Sequence, residues 1–113
     1  MDLTLEDSTV RGGRQARERF YDARGDGRAV DGDLELAPVE AAHILYRGDV
    51  ETIRDADSGE RLDFQAVLSS EIVSEIDMLV YKDLRDRGFY LSPTDDPDVD
   101  FFVYPRGKGP WDD

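Results

Sequence analysis

Cysteine is absent from this 113-residue chain, histidine occurs once and lysine twice. The missing thiols exclude a disulfide scaffold, a thiolate metal site and a cysteine nucleophile. A lone histidine, His43, has no second imidazole at ligand spacing and only Glu40 one turn back, which argues against a zinc or histidine-dependent catalytic site. No apolar run approaches the roughly 18 residues that span a bilayer. The opening stretch Met1–Val10 also lacks the basic-then-apolar pattern of a secretory signal. These absences predict a soluble, cytoplasmic chain with no membrane partner.

Negative charge is what the chain has in abundance. It carries 27 Asp and Glu against 14 Lys and Arg, a net of −13. Of the 14 basic residues only Lys82 and Lys108 are lysines, which leaves 12 arginines. Many acids, few lysines and retained arginine is the composition expected of a protein working in concentrated salt. Screening there shortens to roughly 3 Å at 1 M, so local arginine contacts and not net charge decide binding. The competing reading of the acidity is a surface that mimics nucleic acid or binds a basic partner. Hydrophobic residues make up 39%, enough for a core and against wholesale disorder.

Punctuation divides the chain near residue 60. Leu3–Glu6 and Thr9–Arg11 read as a strand pair turning at Asp7-Ser8, closed by Gly12-Gly13. Arg14–Ala23 is a helix by its period, with Ala16 and Phe20 inward. Leu34 and Leu36 alternate with charged residues as in a strand. Pro38 then opens a helix in which Val39, Ala42, Leu45 and Tyr46 share a face, and Gly48 stops it. Val50–Ile53 and Arg61–Phe64 are expected as short strands about Asp57-Ser58-Gly59. The second part opens with an expected helix over Ser70–Arg87, capped by Ser70 and closed by Gly88, whose inward stripe is Ile72, Val73, Ile76, Leu79, Val80 and Leu84. Phe89–Leu91 and Val99–Tyr104 follow as strands, the latter apolar on both faces and so expected in a sheet interior. Two strands and one helix do not close a sheet layer, and this part reads as the start of a larger domain.

Three places invite chemistry. The run Asp95-Asp96-Pro97-Asp98-Val99-Asp100 lacks the glycine and terminal glutamate of a helix–loop–helix calcium loop. It also lacks the second acid that a metal-dependent nuclease places two residues before its lysine, Arg106 standing there instead. It reads as a solvated loop. Tyr104-Pro105-Arg106-Gly107-Lys108 ends a strand with a phenol and two cations beside a turn, without the spacing of a phosphate-binding loop. His43 lies mid-helix and reads as structural or solvent-facing.

Two stretches carry a resemblance. Val80-Tyr81-Lys82-Asp83-Leu84-Arg85-Asp86-Arg87-Gly88-Phe89-Tyr90-Leu91-Ser92-Pro93 and Asp100-Phe101-Phe102-Val103-Tyr104-Pro105-Arg106-Gly107 resemble the start of the catalytic domain of the archaeal tRNA-splicing endonuclease family. Leu34–Gly48 is similar to the helix of that family's small N-terminal domain. The resemblance implies an α+β chain. Residues 1–64 would form the N-terminal αβ domain, and 65–113 a helix and β-hairpin from a restriction-endonuclease-like domain. It implies metal- and cofactor-independent cleavage of precursor tRNA at bulge–helix–bulge intron junctions, leaving 2′,3′-cyclic phosphate and 5′-hydroxyl ends. The family uses a tyrosine as general base, a histidine as general acid and a lysine against the developing charge. Tyr104 matches the tyrosine; the family also includes chains of two tandem halves, one catalytically degenerate, and in the front of such a half Tyr104 would be structural. The histidine and lysine have no counterpart, since His43 is in the other domain and Lys108 is too close to Tyr104. The implied role is a fragment or non-catalytic part that supplies fold, oligomerisation with itself or a second subunit, and RNA docking. Arg47, Arg85, Arg87, Arg106 and Lys108 are the candidate RNA or partner contacts. The alternative is an acidic protein-interaction module without a nuclease role.

Overall fold

The computed structural model describes residues 2–7, 9–70, 72–93, 101–105 and 108–109. Alternating apolar residues near the N-terminus form the hairpin β1 (Leu3–Glu6) and β2 (Thr9–Gly12), with Leu5 opposite Val10. After α1 (Arg14–Ala16) the chain widens at once into a π-helical stretch, Arg17–Asp22, which carries Phe20 into the core. Strands β3 (Arg28–Val30) and β4 (Asp33–Leu36) form a second hairpin, with β4 joined to β2. Beyond α2 (Pro38–Arg47), β5 (Ile53–Asp55) returns parallel to β1 and pairs with β6 (Arg61–Leu62). The six strands lie in the order β3-β4-β2-β1-β5-β6, antiparallel except at β1–β5. Helices α3 (Phe64–Ser69) and α4 (Glu75–Asp86) follow, then a two-stranded sheet of β7 (Leu91–Pro93) and β8 (Phe101–Val103).

Leu3, Val10, Leu34, Leu36 and Ile53 are buried on one sheet face and join Ala16, Phe20, Ala41, Ala42 and Ile44 in a single core. Burying each large aliphatic side chain stabilises by about 1.5–3 kcal/mol. Two glycines allow this closeness. A Cβ on Gly12 would stand 2.6 Å from that of Ala16. One on Gly27, at φ +71, would stand 2.4 Å from the Glu35 carbonyl oxygen. Pro38 starts α2 where its missing N–H costs nothing, and the helix is buried from Val39 through Leu45.

The α+β organisation and the helix at Pro38–Arg47 are as the sequence predicts. The long second helix is not. The helix expected over Ser70–Arg87 is shortened to α4, Glu75–Asp86, and Ser70 is not its N-cap but the C-cap of the preceding α3, its hydroxyl donating to the Ala66 carbonyl at 2.6 Å. Ser74 caps α4 through the Asp77 N–H, 3.0 Å. The inward face also differs. Met78 and Tyr81 pack inward, while Ile76, Leu79 and Val80 are exposed at 74%, 58% and 45%. Apolar periodicity marks a face that wants cover without saying which neighbour supplies it. Val103 is 44% exposed, so this end of β8 is not covered on both faces. The strands expected at Val50–Ile53 and Arg61–Phe64 fall at Ile53–Asp55 and Arg61–Leu62, Phe64 instead starting α3 behind the Asp63 cap. The strand expected at Phe89–Leu91 falls at Leu91–Pro93; of that expected at Val99–Tyr104, Phe101–Val103 is strand, and Val99 and Asp100 lie outside the described residues.

Contiguous exposed apolar residues on α4 predict self-association. The 113-residue chain is expected to sediment as an oligomer. Ile76→Ser with Leu79→Ser should return it to a folded monomer whose melting temperature no longer depends on concentration, since neither side chain packs in the core. A monomeric parent chain would refute this.

Candidate functional site

Helices α2 and α4 face one another across a set of buried polar groups. Glu40 is 1% exposed, and its carboxyl accepts the N–H of Gly27 at 2.6 Å and of Ala37 at 2.9 Å. Burial pushes its pKa up to about 8 against the pull of those two N–H donors, so it is held largely protonated at neutral pH. Tyr81 lies against it, its phenol pushed well above 10 by burial and then by the Glu40 charge. His43 meets the Tyr81 ring edge-on at 5.2 Å, and burial followed by the nearby Arg85 charge lowers its pKa to about 4. This imidazole is neutral and enclosed, so of the two expected readings, structural or solvent-facing, it takes the first.

Arg85 ties this layer together. Its guanidinium lies 3.1 Å from Asp26, which is 1% exposed, and donates to the Arg24 carbonyl at 2.9 Å. It also lies over the Tyr90 ring at 5.0 Å. Burial raises Asp26 to about 6 even with Arg85 beside it, so the pair is ionised at neutral pH. One side chain of α4 therefore holds the turn after the π-helix and the approach to β7.

Outside this layer, an open groove of about 400 Å³ runs between the helices, lined by His43, Tyr46, Arg47, Lys82, Arg85 and Asp86. The structure thus brings Arg47 and Arg85 together, and adds Lys82. Each cation already has an anion. Arg47 lies 3.5 Å from Asp49, and Lys82 lies 2.6 Å from Asp86 and over the Tyr46 ring. Arg87 is not in the lining; it pairs with Asp83 at 3.1 Å, 66% exposed. Lys108 is exposed, its N–H donating to the Pro105 carbonyl at 2.9 Å. Tyr104 is half-buried just beyond β8, and its N–H donates to the Tyr90 carbonyl at 2.9 Å. Arg106 and the acidic run Asp95–Asp100, apart from its backbone neighbour Phe101, lie outside the described residues.

The first 68 residues, which carry this sheet, α2 and Glu40, match a known family model. Residues 1–68 fit the tRNA intron endonuclease, N-terminal domain. The chain belongs to that family. Among its relatives, the tRNA-splicing endonuclease of Haloarcula marismortui is 58% identical over 118 residues, covering 99% of this chain and 33% of the relative. That of Haloferax volcanii is 50% identical, covering 99% and 34%. That of Methanosarcina acetivorans is 37% identical, covering 97% and 31%. The chain thus spans about a third of the length of the curated relatives it matches. The identity is higher with the two salt-loving organisms, in keeping with the acidic, lysine-poor composition.

Sequence reasoning did not place Asp26, Glu40 and Tyr81 in one buried layer. Local signals existed for two of them. Asp26 stands between Gly25 and Gly27, both at positive φ, and Glu40 occupies the third helical position after Ala37. No local signal marks Tyr81 as the member of its helix that turns inward. No helix among the described residues is long and apolar enough to cross a membrane.

Proposed function

We propose that these residues are the front third of a salt-adapted, cytoplasmic tRNA-splicing endonuclease, supplying fold, oligomerisation and RNA docking. In this reading the whole enzyme cleaves precursor tRNA at bulge–helix–bulge intron junctions, with 2′,3′-cyclic phosphate and 5′-hydroxyl ends. Residues 1–64 are its N-terminal domain and 65–113 open the catalytic-type domain. The observation that carries the proposal is near-complete coverage of this chain by relatives named tRNA-splicing endonuclease, at up to 58% identity. Tyr104 is proposed as the general base of the whole enzyme. A free phenol has a pKa of about 10, so it needs partners to act near neutrality. A general acid must also protonate the leaving oxygen, and the one imidazole here is enclosed, 4% exposed. Residues 1–113 alone are therefore expected not to cleave. Among the basic candidates, Arg85 acts through the Asp26 pair as a positioning residue, whereas Arg87 and Lys108 have the exposure a contact needs.

The test is cleavage of a bulge–helix–bulge RNA in molar KCl with EDTA, scored for cyclic-phosphate ends. One arm uses this chain. The other uses a chimera in which it replaces the matching third of the Haloarcula marismortui relative. The chimera should cleave, the chain should not, and Tyr104→Phe in the chimera should lower kcat by about 10²–10⁴-fold. Cleavage by the chain alone would overturn the fragment reading. A folded but inactive chimera would favour an acidic protein-interaction module, which the exposed apolar face of α4 also fits. Activity abolished by EDTA would instead point to a metal at the acidic run.

A further inference from the structure

The strand registers place one side chain from each of the six strands in a single row on the sheet face away from the core. Arg28 is opposite Glu35, Glu35 opposite Arg11, and Arg11 opposite Thr4. Thr4 is opposite Arg54, and Arg54 opposite Arg61. Directly opposed residues point to the same face, and the row's neighbours Leu3, Val10, Leu34 and Ile53 point into the core. With strands about 4.8 Å apart, the row extends roughly 24 Å. Four of its six members are arginine, in a chain with 27 acids to 14 bases.

Stability does not explain the row. Arg54 and Arg61 face each other directly, and like charges so placed are destabilising. Arg11 and Arg54 are exposed and make no ion pair among the described residues, although acids outnumber bases almost two to one. Arg61 has only Asp2, at 3.7 Å, while Arg28 and Glu35 bind each other. Acidic side chains occupy the adjacent rows, Glu6 on one side and Asp33 on the other. They confine the positive stripe to one line.

We propose that this arginine row docks the sugar–phosphate backbone of RNA, an inference that rests on the reading of the chain as an RNA-docking part of its enzyme. The row presents planar guanidinium forks, which fit phosphate oxygens bidentately, and a threonine hydroxyl. It offers no large apolar anchor of the kind that carries a protein–protein interface. In concentrated salt such contact-range forks keep their value while the repulsion of distant carboxylates is screened.

The experiment measures binding of a precursor tRNA to the 113-residue chain across a KCl series, with thermal melts of each variant. Arg11→Thr with Arg54→Thr should weaken binding about tenfold or more and reduce the slope of log affinity against log salt by about two. Arg54→Glu should raise the melting temperature, by pairing with Arg61, while weakening RNA binding. A purely structural role cannot move those two readouts in opposite directions. Unchanged affinity and slope in both variants would overturn the row as the docking surface and leave RNA docking elsewhere. A parent chain that binds no RNA would overturn the docking reading and the row together. Variants that lose binding to poly-glutamate but keep it to RNA would overturn the proposal in favour of an acidic protein partner.

Discussion

Arg85→Ala is expected to cost about 3–5 kcal/mol of folding stability, the penalty for leaving a buried charge without its partner. Asp26 is 1% exposed, and Arg85 supplies the cation 3.1 Å away. The same substitution frees the Arg24 carbonyl, so the attachment of α4 to the first half of the chain weakens at two points, and it uncovers Tyr90 on the approach to β7. The loss should shrink on acidification. Asp26 takes up a proton in the folded state at about 6, and a neutral carboxyl no longer needs the guanidinium. The double variant Arg85→Met, Asp26→Leu should recover most of the loss, because an apolar pair of similar volume avoids desolvating two charges. Urea melts at fixed KCl, at neutral pH and near pH 5, measure all three. A cost below about 1 kcal/mol for Arg85→Ala at neutral pH would show that the pair is hydrated and not a buried clamp.

Glu40→Gln is expected to cost about 2–3 kcal/mol and to remove a pH dependence. The two carboxyl oxygens accept from Gly27 and Ala37, and a glutamine offers one acceptor and one NH₂. One buried backbone N–H is then left facing a donor. The pH effect has a definite sign. Glu40 has a folded pKa raised from 4.5 to about 8, so its contribution is fully present below 4.5 and is lost as pH rises to about 8. His43 has a folded pKa lowered from 6.5 to about 4, so its contribution is present above 6.5 and is lost as pH falls to about 4. Between 4.5 and 6.5 these two slopes oppose each other. Above 6.5 only that of Glu40 remains, and stability should fall by about 2 kcal/mol by pH 8. Glu40→Gln should flatten that upper fall, while below about 6 the rise from His43 is still opposed by the fall from Asp26, whose pKa is raised from 3.8 to about 6. Equal pH profiles for the parent and the variant would mean that Glu40 is ionised, and therefore hydrated, in the folded protein.

The exposed apolar face of α4 and the arginine row on the sheet show two kinds of surface in one acidic molecule. Ile76, Leu79 and Val80 form a patch that water disfavours, which fits contact with protein. The row from Arg28 to Arg61 is polar throughout, which fits contact with phosphate.

Local chemistry is legible wherever a segment carries its own instructions. Pro38 at the first helical turn, the alternation of Leu34 and Leu36, and the hairpin about Asp7 were readable because each depends on residues a few positions apart. The family was legible for the same reason, through the contiguous stretch that surrounds Tyr81 and the one from Asp100 to Gly107 that contains Tyr104. The break between α3 and α4 was harder, since Ser70 and Ser74 are both competent caps and apolar periodicity runs through them. Which face of α4 turns inward, and the burial of Asp26 with Arg85, were not legible at all. Those features join residues 59 positions apart in the chain, and their energies depend on the water excluded when α2 and α4 meet. Residue type and spacing determined the first hairpin and the helix Pro38–Arg47, and the resemblance carried by two contiguous motifs gave the α+β class and the family of this protein. Tertiary structure decided which charges are buried, which apolar face is left to solvent, and that four arginines from four different strands stand in one line. Desolvation and strand register are set only when distant segments pack.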